Sequence, residues 1–238
     1  MKPRIALLLS LVLASSVGLA QVPQFVNGDF ELPVTPHITT IYTGSSDLVG
    51  WRVMGGSVEV VSAWQPAGGS QVLDTVGIQV RGAIEQDLTF VDAGQYHITF
   101  DLSRNPLITP PAQLGVWYKP PSATSFIGLG FYEFSESVTA VDMKWRAEGT
   151  GAFTFVPGVY TFAFASLAPG VGQNNNTWGG PAIDNVQLVA GASNYAPTMP
   201  PDYVLPPPLP FPTPEPTAGG LAAGAGLLAF ACWRRTKH

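Results

Sequence analysis

Charge is scarce in this chain of 238 residues: Asp, Glu, Lys and Arg together make up only 11% of it, under half of the roughly 25% usual for a soluble domain. The 11 basic residues form no patch in the body of the chain, and they are outnumbered by 16 acidic ones for a net charge of −5. Nucleic-acid binding, which needs clustered Lys and Arg to displace phosphate counterions, is therefore excluded. Cysteine is nearly absent, since the single Cys232 lies in the apolar tail, so the rest of the chain has neither a disulfide nor a thiol nucleophile. Histidine is almost as rare. His37 and His97 are the two in the central region, and neither belongs to a His-Glu-x-x-His or other zinc-spaced set. There is no Gly-x-Ser-x-Gly elbow, P-loop or Gly-x-Gly-x-x-Gly. In place of these the chain has 26 Gly and 23 Pro, both poor inside helices, and an all-α fold is ruled out. Six Trp, seven Tyr and thirteen Phe supply the apolar surface that a disordered chain lacks.

The two ends speak of destination. Lys2 and Arg4, an apolar run from Ile5 to Leu13, and the small residues ending at Ala20 form the three-part layout of a secretory signal over residues 1–20, cleaved before Gln21. A run of nine residues is too short to span a bilayer core of about 30 Å. At the other end, ten of the twenty residues from Pro197 to Pro216 are proline, which favours an extended polyproline spacer; residues 191–216 read as a linker. Residues 217–238 follow. The stretch Thr217 to Trp233 carries no charge and is closed by Arg234, Arg235 and Lys237, a hydrophobic helix at the short end of membrane-spanning length, with its basic stop on the cytoplasmic side.

The order of Pro214-Glu215-Pro216, an apolar segment and then Arg234-Arg235 resembles the PEP-CTERM sorting signal of exopolysaccharide-producing bacteria. The resemblance implies an exosortase partner that processes the tail. It leaves the exported domain at the cell surface or in the extracellular matrix, transiently or stably anchored through the C-terminal segment.

Between the ends, residues 21–190 are long enough for one domain with a sizeable core and carry 6 basic against 14 acidic side chains. Apolar and polar residues alternate in Ala83 to Val91, where Ile84, Gln86, Leu88 and Phe90 oppose Glu85, Asp87 and Thr89, and in Gln95 to Leu102, where Tyr96, Ile98, Phe100 and Leu102 share a face. Ser57 to Ser62, Gln113 to Lys119, Ser125 to Phe134, Gly151 to Val156, Val159 to Leu167 and Ala182 to Val189 read as further strands. Turn formers such as Gly55-Gly56, Asp92-Ala93-Gly94 and Pro157-Gly158 separate them. Many short strands and no credible helix predict an all-β, antiparallel β-sandwich.

Asn27-Gly28-Asp29-Phe30-Glu31, Gly50-Trp51, Gly55-Gly56-Ser57-Val58-Glu59, Trp64 through Ser70, Leu73-Asp74 and Gly179 through Val186 together resemble the choice-of-anchor C family. That family is similar to a plant cell-wall domain of unknown function with a galactose-binding-like jelly roll. The resemblance departs at Lys144 and in the loop from Gly170 to Thr177. In the related carbohydrate-binding jelly rolls the two end motifs contribute to a structural Ca²⁺, which implies Glu31 and Asp184, with Asp29 as a lesser member, as metal ligands here. The residues leave a second reading open, in which Glu31 and Asp184 accept backbone N–H bonds without metal.

A sugar-binding face would use aromatic rings with amides and carboxylates beside them, and Trp64 with Gln65, and Trp178 beyond an Asn-rich loop, fit that chemistry; Trp51, Trp117 and Trp145 read as core. His97 reads as a solvated residue on the polar face of its strand. The leading expectation is a non-enzymatic exported module contacting extracellular polysaccharide. A structural or adhesion protein of the matrix, binding another protein, is the alternative. A glycan hydrolase ranks third: Glu85 and Asp87 share a strand face, and two carboxylates suffice for such an enzyme.

Overall fold

In the computed structural model the described residues are 22–197, apart from 79–80, 110, 169 and 172–177. The segments expected as a signal and a terminal helix, and the expected sorting residues Pro214, Glu215, Pro216, Arg234 and Arg235, lie outside them.

Fourteen strands run through the described residues: β1 (Ile38–Tyr42), β2 (Arg52–Met54), β3 (Ser57–Val61), β4 (Val72–Asp74), β5 (Ala83–Phe90), β6 (Gly94–Arg104), β7 (Ala112–Lys119), β8 (Ile127–Phe134), β9 (Arg146–Gly149), β10 (Phe153–Phe155), β11 (Gly158–Ala168), β12 (Gly170–Val171), β13 (Trp178–Gly179) and β14 (Pro181–Ala190). One sheet has the order β1-β3-β4-β14-β6-β10 with β9 also on β6, and the other β2-β5-β11-β7-β8. All the pairings within these two sheets are antiparallel. The fold is the predicted antiparallel β-sandwich in a jelly-roll layout.

Alternation places the core. Ile84, Leu88 and Phe90 of β5 and Ile98, Phe100 and Leu102 of β6 are buried, and aromatic rings close the space between sheets. Phe155 of β10 lies 4.5 Å from Phe90 and 4.2 Å from Tyr160, and Phe100 meets Phe164 edge-on at 5.9 Å. Gln86 faces inward too. Its amide is not wasted there, because it accepts from Val26 N at 2.7 Å and donates to Val26 O at 3.0 Å, tying the N-terminal segment to the second sheet and satisfying a buried polar group.

Two expectations are corrected. His97 is 7% exposed rather than solvated, because residues 191–197, expected as the start of the linker, lie along the sheet and cover it. Gly191 N donates to Gln95 O at 2.7 Å, Gly191 O is 3.3 Å from His97 Nδ1, and Ser193 Oγ donates to Thr150 O at 2.6 Å. Trp145 packs against the main core cluster but at its margin, half-buried rather than enclosed, and its indole N–H reaches Gln65 O at 2.9 Å.

Candidate functional site

The end motif Asn27-Gly28-Asp29-Phe30-Glu31 is a fastening device. Asn27, at a positive φ of 54° that Asn tolerates better than most residues, accepts from Leu32 N and donates to Leu32 O and Val49 O. Gly28 must lack a side chain: its O accepts from Val186 N at 2.8 Å, and an added Cβ would lie 2.2 Å from Val186 O. The N-terminal segment and the last strand are thus side by side. Phe30 is fully buried against Trp51, their ring centres 5.8 Å apart.

Glu31 and Asp184 grip the same loop. Glu31 Oε1 accepts from Ser70 N at 2.7 Å and Gln71 N at 3.0 Å; Asp184 Oδ2 accepts from Ala67 N and Gly68 N at 3.0 Å, and its Oδ1 from Asn185 N at 2.8 Å. Gly69, at φ +59°, approaches so near that a Cβ would meet Glu31 Oε1 at 2.2 Å. Asp29 is exposed. Three of the four oxygens on Glu31 and Asp184 therefore already face N–H dipoles, and among the described residues no three His, Cys, Asp or Glu are grouped to hold a metal ion. A divalent cation wants six to eight oxygen ligands, and this arrangement does not fit a Ca²⁺ shared by Glu31, Asp29 and Asp184. Burial pushes the Asp184 carboxyl up to about 7 despite those N–H donors, and Asp101 nearby adds repulsion.

Trp64 is 6% exposed within the main hydrophobic cluster, so its ring has no face free for a sugar. Gln65 is exposed, yet its side-chain oxygen accepts from Met143 N at 3.1 Å. Both serve to seat the loop from Trp64 to Ser70. Trp178 lies in β13, paired with Val171 of β12; the expectation for its ring falls outside the described residues.

The outward face of the five-stranded sheet carries a different set. Register aligns Arg52 with Glu85, Ala163 and Trp117 in one row, and Asp87 with Thr161 and Lys119 in the next. Arg52 holds Asp87 through two bonds of 2.9 and 3.0 Å and lies 3.6 Å from Glu85; Thr161 Oγ1 donates to Asp87 at 2.7 Å. The Arg52 guanidinium holds the Asp87 carboxyl below its ordinary value, whereas burial pushes Glu85 up, with Arg52 and Lys119 opposing. Lys119 Nζ lies 5.1 Å over the Phe126 ring. Toward the middle of this face Trp117, Ala165 and Leu167 form a second apolar cluster with Ala83, Phe126 and Phe131 packed on it. Trp117 lies across bare backbone, since a Cβ on Gly115 would meet its ring at 1.9 Å. Of this array the sequence alone discloses only the Glu85–Asp87 pair. Arg52 and Thr161 are 35 and 74 residues from Asp87 in sequence, and only the strand register brings them together.

A family model described as "Protein of unknown function (DUF642)" matches residues 23–189. Halomucin of Haloquadratum walsbyi is 30% identical over 180 residues, which is 75% of this chain and 2% of halomucin; the chain thus spans a small fraction of that relative's length. Among solved structures, TmCBM61 in complex with beta-1,4-galactotriose is similar at 13% identity and a TM-score of 0.44, covering 60% of this chain and 90% of its own. The CBM22-1 xylan-binding domain of Paenibacillus barcinonensis Xyn10C is similar at 16% identity and a TM-score of 0.42, covering 65% and 94%. A family 35 carbohydrate-binding module from Clostridium thermocellum covers 64% and 99% at 14% identity and a TM-score of 0.41.

Proposed function

The chain belongs to the DUF642 family, a family of unknown function, so its activity must be read from its own surface, and we propose that it is an exported, non-enzymatic module that contacts extracellular polysaccharide. One observation carries this: the outward face of the five-stranded sheet presents Arg52, Glu85 and Asp87 as a set of donors and acceptors braced from beneath by the buried Thr161, with Lys119 alongside over an aromatic ring. Such a set suits a hydroxyl-rich polymer, because groups already held in place by one another lose little freedom on binding. Nearby apolar side chains suit the C–H faces of pyranose rings.

Retention of the producer's own exopolysaccharide by the immobilised mature chain is the test. Arg52→Ala is expected to lower retention several-fold, because it releases Asp87 as well as removing a donor. The melting temperature should move little, since an exposed ion pair contributes under about 1 kcal/mol. Unchanged retention in that variant would overturn the reading.

The hydrolase reading draws support from the opposite displacements of Glu85 and Asp87, a pattern that acid–base pairs share. It is disfavoured because both oxygens of Asp87 are already held by Arg52, leaving it poorly placed as nucleophile or base. The tail completes the proposal. Sorting by an exosortase through Pro214-Glu215-Pro216 predicts that alanine at these three positions leaves export intact and accumulates unprocessed protein at the inner membrane. An unchanged mature mass and location would count against sorting while leaving the sugar contact standing.

A further inference from the structure

At the side of the sandwich, where β8 ends one sheet and β9 lies at the margin of the other, a cleft of about 300 Å³ opens between Tyr132, Glu133, Arg146, Glu148 and the strap residues Tyr195 and Pro197. That volume lies at the lower end of small-molecule sites. Its walls are held by bonds crossing from sheet to sheet. Tyr132 Oη donates to Gly149 O at 2.9 Å, and Arg146 Nη2 donates to Glu133 O at 2.7 Å. Arg146 Nε also pairs with Glu148 Oε1, and its guanidinium carbon lies 5.3 Å over the Phe134 ring. The fourth wall is supplied by the strap. Tyr195 packs its ring on Gly149, where an added Cβ would come within 2.4 Å of it, and its N–H donates to Ser193 Oγ at 3.0 Å. These residues lie beyond the 23–189 span of the family match.

The lining retains hydrogen-bonding capacity that the described residues do not use. A guanidinium has five N–H groups; Arg146 commits Nε and Nη2, so Nη1 is left over, as are Glu148 Oε2 and the Tyr195 hydroxyl. We infer that this cleft binds a neutral pyranose unit of the polysaccharide, with the strap at residues 195–197 as an integral wall; this rests on the glycan reading of the previous subsection. Donor, acceptor and hydroxyl beside aromatic rings match the hydroxyls and C–H face of a sugar. In the lining Arg146 is balanced by Glu148, and the Glu133 carboxylate beside it, engaged by Gln113 Nε2 and Ser135 Oγ, leaves the surroundings net negative, which disfavours uronates, sulfates and phosphates. The charged groups equally argue against an apolar ligand. Because the strap forms part of the site, a bound sugar holds the strap down, and an undocked strap weakens the sugar by the same factor.

The test uses the mature chain and a panel of neutral trisaccharides of glucose, galactose, mannose and xylose, with trigalacturonate as the acidic counterpart. Binding is followed by calorimetry and by hydrogen exchange at residues 193–197. At least one neutral trisaccharide is expected to bind saturably and to slow exchange in the strap, and trigalacturonate to bind at least tenfold more weakly. Tyr195→Ala should cost tenfold or more in affinity. Tyr195→Phe, which keeps the ring on Gly149 and loses the hydroxyl, should fall between Tyr195→Ala and wild type. The inference is overturned if no neutral trisaccharide binds, if trigalacturonate binds more tightly, if Tyr195→Ala binds as wild type, or if exchange in the strap ignores the ligand. Loss of the cleft with polymer retention still sensitive to Arg52→Ala would leave the outward-face reading intact, whereas absence of polymer retention in the wild type would sink that reading itself.

Discussion

Trp51→Ala is expected to remove about 3–5 kcal/mol of stability, the usual cost of deleting a large core aromatic, and to lower the melting temperature by roughly 10 °C in a domain of this size. Trp51 is 3% exposed, stacks on Phe25 at 5.3 Å, meets Phe164 edge-on at 5.9 Å, and donates its indole N–H to Asn27 O at 3.0 Å. Truncation opens a void between the N-terminal segment and the second sheet and leaves the Asn27 carbonyl without its donor, so transfer, cavity and hydrogen-bond losses add. Arg52→Ala, one residue along, is the control, since its side chain is half exposed. A thermal melt of Trp51→Ala within about 3 °C of wild type would show that these rings do not carry the core.

The second large effect is on pH. Burial raises the Asp74 carboxyl to about 8 and the Asp184 carboxyl to about 7, from ordinary values of 3.8. Asp74 is wholly buried and accepts from Val76 N, Gly180 N and the Asn105 amide, with Glu59 opposite it on β3. Each group holds its proton more tightly in the folded chain than in the unfolded one, so folding takes up protons. The resulting stability is complete below about pH 4 and is lost as the pH rises through 7 and 8. Glu59 and Glu85, also raised by burial, act in the same direction. Asp87, lowered by Arg52, acts the other way in acid, but it is exposed and contributes little. The melting temperature should therefore be highest near pH 4, fall progressively as the pH rises to 8, and be lower by on the order of 5–10 °C at pH 9. A curve that is flat or rising between pH 6 and 9 would show that both carboxylates are charged in the native state.

How far the sequence discloses this molecule depends on how many periods of alternation an element carries. β5 shows Ile84, Leu88 and Phe90 turned one way and Glu85 and Asp87 the other, and eight such segments were legible. β2, β4 and β9, of three or four residues, hold at most two periods. In β4, moreover, Val72, Leu73 and Asp74 are all buried, so there is no alternation to see. Trp64 looked like a loop aromatic because Pro66, Gly68 and Gly69 surround it; what buries it is the loop's seating on Glu31 and Asp184, far away in sequence. The strap is disguised for a similar reason. Gly191-Ala192-Ser193-Asn194 has a linker's composition, and only hydrogen bonds to Gln95 and Thr150 reveal that it is docked.

The position of β14 has a mechanical consequence. It is the last strand before the strap, yet it is interior to its sheet, bonded to β6 over Pro181 to Asp184 and Gln187 to Ala190, and to β4 at Ala182 and Ile183. A pull transmitted along the chain from residue 197 first loads the Gly191 and Ser193 bonds, and then draws β14 lengthwise between two neighbours. Its ladder bonds lie across that direction and share the load together, instead of parting one at a time as they would on a peeled edge strand. A tether attached at this end thus strains the domain in shear, the geometry in which a sheet resists force best.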